Sequence, residues 1–275
     1  MWKRRAVRRS FISSVIVPPW KHPRIFNTLA LGAWGRNQFS LAAWQRRPRP
    51  LDSSFAMAES FHRTFFLNGP AGRLEAMLWT APAAEAPRVA VVCHPHPLFG
   101  GTMHNKVVFQ VAKILHQHGI PVLRFNFRGA GLSEGVHDRG RGEADDVRTA
   151  LDHLSQEFPS KPILLGGFSF GSYVGLRVGC QDSRVTELVG LGIPVNDSDL
   201  SYLADCAKPK LFLQGGRDQF GARGRVEELF ARMPEPKRLV FIEDADHFFA
   251  GKLSQMGRAL AEWLEERKIP PAPHS

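Results

Sequence analysis

Gly167-Phe168-Ser169-Phe170-Gly171 follows the apolar run Pro162-Ile163-Leu164-Leu165 and leads into a helix-like stretch over 172–178. A serine so placed sits on a strand-to-helix bend, with its hydroxyl held out at the C-terminal edge of a sheet. Small residues are required on both sides because the two backbones nearly touch. Gly167 and Gly171 supply them, and Gly175, one helical turn on, keeps the helix close to its strand. A serine hydroxyl is a weak nucleophile near neutral pH, so it needs a base to take its proton and a carboxylate to orient that base. Leu211-Phe212-Leu213-Gln214-Gly215-Gly216-Arg217-Asp218 reads as a buried strand ending in an acid. Leu239-Val240-Phe241-Ile242 reads as another, followed shortly by His247. Nucleophile, acid and base thus come in the order Ser169, Asp218, His247, each just past a strand end. Asp244 and Asp246 compete for the acid's role, but both share the histidine's own loop, and Asp218 is preferred.

Attack on a carbonyl also creates an oxyanion that needs two N–H donors. One is expected from Phe170, directly after the nucleophile at the positive end of the following helix. The other is expected in the turn His94-Pro95-His96-Pro97-Leu98 after a third strand. Proline has no N–H, which leaves His94 and His96 within 94–97.

Together with the stretch from Val91 to Val108 and Arg124-Phe125-Asn126-Phe127-Arg128-Gly129-Ala130-Gly131-Leu132-Ser133-Glu134-Gly135, these motifs resemble the α/β-hydrolase superfamily. The similarity runs over about residues 60–268. It points to small bacterial serine hydrolases with no separate lid, distantly similar to dienelactone hydrolases. Those carry cysteine where this chain has Ser169, so their substrate does not transfer. The resemblance implies an eight-stranded, mostly parallel sheet with helices on both faces, a Ser169–His247–Asp218 triad, and the His96 backbone N–H as second oxyanion donor, with Leu98 in reserve. It implies no cofactor.

His94, His96 and His104 invite a metal reading, but no acid cluster accompanies them, and the oxyanion turn already accounts for their position. No metal is expected. Phe99, Met103, Phe220 and Phe248 fall in loops around the reactive residues and are expected to bind an apolar part of the substrate.

Net charge is +10, yet eleven of the 36 Lys and Arg lie in residues 1–50, which hold no Asp or Glu, so the remainder carries about −1. The high charge therefore says nothing about the substrate, and no specific nucleic-acid binding is expected. Residues 1–56 lack periodicity and are rich in Arg, Pro and Trp. They read as a basic, disordered extension preceding a catalytic domain at 57–275, with Met57 as an alternative start. Arg8-Arg9-Ser10-Phe11-Ile12 is similar to a twin-arginine export motif, but Pro18-Pro19 and Lys21 break the apolar stretch that follows. A cytoplasmic location is expected, with export as the alternative, and no apolar run is long enough to span a bilayer. The three cysteines give no disulfide framework, and Cys206 falls in a loop where exposure is possible.

From residue 60 onward strand-like and helix-like blocks alternate. Strands are predicted at 62–67, 73–80, 88–93, 121–127, 162–168, 185–191, 209–214 and 238–242. Helices are predicted at 104–118, 143–157, 171–180, 224–233 and 252–267. The short link Asn68-Gly69-Pro70-Ala71-Gly72 makes the first pair an antiparallel hairpin. Glu143, Asp145 and Asp146 open a helix, where they complement its dipole. Too few residues separate the strands near 191 and 209 for a cap domain. The expected activity is cleavage of a small ester or thioester, with a small acyl compound as partner and a homo-oligomer possible. The alternatives are a short-peptide serine peptidase and a non-catalytic ligand-binding protein on the same scaffold.

Overall fold

The computed structural model describes residues 62–80 and 86–267, so the readings of residues 1–56 fall outside the described residues. Among the latter, eight strands are β1 (His62–Gly69), β2 (Gly72–Trp79), β3 (Val89–Cys93), β4 (Val122–Phe125), β5 (Ile163–Phe168), β6 (Val185–Leu191), β7 (Lys210–Gly215) and β8 (Lys237–Ile242). The helices are α1 (Lys106–Gln117), α2 (Arg141–Glu157), α3 (Phe170–Gln181), α4 (Arg223–Arg232) and α5 (Leu253–Glu266). All strands join one sheet in the order β1-β2-β4-β3-β5-β6-β7-β8. β1 and β2 form the expected hairpin, with Gly69 opposite Gly72, and β2 runs antiparallel to β4. Every pair from β4 to β8 is parallel.

Parallel strands need crossover helices, and those helices cover both faces, so the central strands are apolar on both sides. In β3, Val89, Val91 and Cys93 enter the core beneath α2, α3 and α4, whereas Ala90 and Val92 enter the one beneath α1 and α5. The chain leaves β3 through α1 to β4 on one side, then returns through α2 to β5 on the other. The strand order reverses between β3 and β5, and in such sheets ligands bind outside the carboxyl ends of the strands at that point. The turn beginning at His94 and the bend at Ser169 both lie there. Between β6 and β7 the chain adds only a short 3-10 helix, Ser201–Asp205, and no cap domain.

Two expectations are corrected. Of the three acids opening α2, only Glu143 satisfies helix-entry donors, accepting the N–H of Asp138 and Gly140 at 2.9 and 2.7 Å. Asp146 is buried and turned toward Arg128, while Asp145 pairs with Arg148 on the surface. Cys206 is buried at the end of the 3-10 helix, which packs against α3.

Candidate active site

The bend after β5 forces Ser169 into φ 55°, ψ −120°, a backbone conformation that costs a non-glycine residue about 1–3 kcal/mol and is kept where surrounding structure imposes it. Two contacts impose it. A Cβ added at Gly167 would lie 2.3 Å from the Gly171 carbonyl oxygen, and one at Gly171 would lie 2.5 Å from the carbonyl oxygens of Cys93 and His94. These glycines let α3 approach β5 on one side and the turn after β3 on the other.

His247 follows β8 and is nearly buried. Its Nε2 is 2.9 Å from Ser169 Oγ, and its Nδ1 is 2.8 Å from Asp218 Oδ2. An ionised carboxylate only accepts, so Nδ1 carries the proton and Nε2 is left to accept from the serine hydroxyl. Asp218 is itself held by several donors. Gln214 Nε2 reaches Oδ2 at 2.7 Å, and the N–H groups of Phe220 and Gly221 reach Oδ1 at 2.8 and 3.2 Å. Gln214 Oε1 in turn accepts the Ile193 N–H at 2.9 Å, which fixes the orientation of its amide. The competing carboxylates have other work. Asp244 pairs with Arg217, and Asp246 accepts the N–H groups of Phe248 and Ala250, closing the turn that carries His247.

On the opposite side, His94 is buried in the turn after β3. Its Nε2 accepts the Phe127 N–H at 2.9 Å, so Nδ1 is the protonated nitrogen and donates to the Pro95 carbonyl at 2.6 Å. Burial lowers the His94 pKa to about 4, which keeps the ring neutral. Both ring nitrogens are thereby engaged with backbone. The Pro95 carbonyl and the His96 N–H belong to one planar trans peptide and point in opposite directions, so anchoring the carbonyl turns the N–H away from His94. The His96 N–H has no hydrogen-bond partner among the described residues, and neither has that of Phe170 at the first position of α3. The Leu98 N–H is taken by His96 Nδ1 at 3.2 Å. The rings of His96 and Phe170 lie 4.8 Å apart and Gly171 packs on the His94 carbonyl, so the two residues that carry the unpaired donors are neighbours.

The turn is braced from β4. Asn126 accepts the Met103 N–H at 2.7 Å, Arg124 donates to the Met103 carbonyl at 2.9 Å, and Arg128 grips Asp146 through its backbone N–H and guanidinium. This arrangement corrects the reading of Met103 as a substrate contact, since the residue has no exposed surface and its backbone is pinned beneath the site. Phe99, Phe248 and Phe220 do reach the surface, at 86%, 52% and 39% exposure, and the loop after β4 adds exposed Leu132 and Val136, which lack any periodic signal in the sequence. Gln214 and the His94 ring are also missed by sequence reasoning. A lone polar residue inside the apolar run of β7 is the only hint of the former.

Known proteins share this arrangement of strands and helices. Residues 90–267 match the family model described as an alpha/beta hydrolase domain. An uncharacterized protein of Rickettsia prowazekii is 38% identical over 208 residues, which cover 72% of this chain and 87% of that protein. Among solved structures, a serine hydrolase without a lid from Xanthomonas campestris superposes with a TM-score of 0.69 at 34% identity, covering 77% of this chain and 97% of its own. A serine hydrolase homologue from Coxiella burnetii superposes with a TM-score of 0.70 at 36% identity, covering 74% and 97%. A model match over more than half the chain and a relative this similar over most of its length settle the kinship: the chain belongs to the alpha/beta hydrolase family.

Proposed function

We propose that the protein cleaves a small ester or thioester through an acyl-enzyme, with residues 57–275 as the catalytic domain. The unbroken hydrogen-bond chain from Ser169 through His247 to Asp218 is the observation that carries this reading. Ser169 Oγ attacks the carbonyl carbon as His247 Nε2 takes its proton, and Asp218 stabilises the resulting imidazolium. The oxyanion is received by the N–H groups of Phe170 and His96, which need no reorganisation as charge develops. Collapse of the tetrahedral adduct expels the alkoxide or thiolate, protonated by His247. A water molecule then repeats the sequence and releases the acid, restoring Ser169. The exposed apolar rim of Phe99, Phe220 and Phe248 suits a short apolar acyl or alcohol group, and the lack of a cap domain leaves the site open. The similarity to the Xanthomonas protein, a serine hydrolase without a lid, supports the same chemistry.

The test is covalent labelling by a fluorophosphonate together with turnover of a short-chain p-nitrophenyl ester. Wild-type protein is expected to be labelled at Ser169. Ser169→Ala is expected to lose labelling and to lower turnover by ~10⁴-fold or more. Folded protein that resists labelling would favour ligand binding without catalysis, and faster cleavage of a matched anilide than of the ester would favour a peptidase.

A further inference from the structure

Beyond the oxyanion corner lies a cavity of about 650 Å³ whose wall includes His137, Arg139, Arg141, Tyr173 and Arg177, with Asp138 as its one carboxylate. Three guanidiniums outnumber the carboxylates of Asp138 on the wall and Glu143 behind His137, leaving a local charge near +1. The acids around it are already committed. Asp138 Oδ2 accepts the Gly142 N–H at 3.1 Å, and Glu143 Oε1 lies 2.7 Å from His137 Nδ1. Arg139 and Arg141 have no ion pair among the described residues. Arg139 is held at φ 54°, a left-handed conformation unfavourable for any residue with a side chain, so the loop fixes this arginine at a cost. Arg177 is set against the rings of Tyr173 and Tyr202 at 5.2 and 5.1 Å, which orders its guanidinium at the cavity wall.

The cavity and the reactive corner share walls. The His137 ring lies 4.6 Å from that of His96 and 5.4 Å from that of Phe170, and the Tyr173 ring lies 6.4 Å from Phe170. A substrate arm leaving the reactive corner over Phe170 would meet the His137 and Tyr173 rings first and the guanidiniums next beyond them. Clustered like charges repel one another, and an anion of matching charge removes that cost. A phosphate monoester carries a charge of roughly −1.5 to −2 at neutral pH and offers oxygens that fit the guanidinium fork. We propose that this cavity receives a phosphate monoester borne by the substrate, so that the hydrolase acts on phosphorylated esters or thioesters. The inference rests on the acyl-enzyme reading above and deepens it.

Acetate release by the full-length protein from acetoxyhexyl phosphate, acetoxyhexanol and acetoxyhexanoate tests the proposal, with hexyl phosphate titrated calorimetrically into Ser169→Ala as a readout without turnover. The phosphate ester is expected to exceed the alcohol in kcat/KM by about tenfold or more at low salt, with a ratio that collapses toward one in Arg139→Gln/Arg141→Gln and at high salt. Hexyl phosphate is expected to bind Ser169→Ala and to lose that binding when both arginines are replaced. Equal rates for the phosphate and the alcohol would overturn the proposal, as would a carboxylate ester matching the phosphate one. Inorganic phosphate that binds as tightly as hexyl phosphate would replace a substrate-borne group with a free ion. If hexyl phosphate binds while no ester is cleaved, the cavity keeps its ligand and the acyl-enzyme reading alone falls.

Discussion

The β5–β7–β8 side of the site is joined side chain to side chain, whereas on the β3–β4 side buried polar residues hold backbone. Ser169, His247, Asp218 and Gln214 form one hydrogen-bonded line ending on the Ile193 N–H. Across the crevice, His94, Asn126 and Arg124 grip carbonyl and N–H groups of the turn and leave the His96 N–H facing the opposite way from the anchored carbonyl. The difference fits what the proposed reaction asks of each side. A proton relay needs functional groups whose tautomers are fixed, while an oxyanion hole needs only peptide dipoles held in place before the charge appears. Damage on the first side is therefore expected to strike the rate more than folding, and damage on the second to strike both.

The sharpest break of that contrast comes at Asp218. Asp218→Asn preserves the volume but offers His247 Nδ1 an amide in place of a carboxylate, which removes the stabilisation of the imidazolium and permits the wrong tautomer. Ester turnover is expected to fall by about 10³–10⁴-fold. The N–H groups of Phe220 and Gly221 can still donate to the remaining carbonyl oxygen, but the new amide nitrogen then faces Gln214 Nε2, so stability in urea titrations is expected to fall by about 1–3 kcal/mol, less than the loss of rate corresponds to. A variant that loses more stability than that, or one that retains most of its activity, would show that the carboxylate is chiefly a structural anchor.

His94 gives the opposite pattern. The folded protein keeps this imidazole neutral down to about pH 4, whereas an unfolded chain protonates it near 6.5. Between those values the unfolded state binds the extra proton, so stability contributed by the neutral ring is present above pH 6.5 and is lost as pH falls toward 4. The full crossing amounts to about 3 kcal/mol. His94→Ala leaves the Phe127 N–H buried without an acceptor, at about 1–3 kcal/mol, and frees the Pro95 peptide to rotate. Urea titrations at pH 7 and pH 4.5 are expected to show a less stable variant whose remaining loss on acidification is smaller than that of wild type, alongside a lower kcat. Identical acid sensitivity in the two proteins would contradict the buried neutral ring.

The same contrast explains what the sequence made legible. Ser169, Asp218 and His247 announce themselves because a serine, an aspartate and a histidine each stand just past an apolar run, and strand periodicity is a local property. Among the described residues, all eight strands and five helices are readable from such local patterns, within a few residues at each end. The role of Gln214 is not, because its value lies in the distance to Asp218 and Ile193, which only the pairing of β6 with β7 establishes. Met103 misled for a related reason. It sits in a loop near the reactive residues, but tertiary hydrogen bonds from Asn126 and Arg124 draw it under the surface. The burial of Cys206 is of the same kind, created by folding the 3-10 helix onto α3.

Phe99 gives the smallest effect and the finest discrimination between the two sides. Its ring is 86% exposed and packs only 4.8 Å from that of His96, so it contributes little to the core while standing over the oxyanion turn. Phe99→Ser removes apolar surface that a substrate's acyl or alcohol chain would cover, leaving the hydrogen bonds of the turn in place. Stability is expected to shift by no more than about 0.5 kcal/mol, as for other exposed positions. KM for a butyryl ester should rise a few-fold at nearly constant kcat, the signature of binding shared equally by ground and transition states. The ratio of acetyl to butyryl hydrolysis separates the possibilities: a change confined to the longer ester places Phe99 on the apolar wall, whereas an equal fall in kcat for both would mean that the exposed ring helps to hold the donor turn.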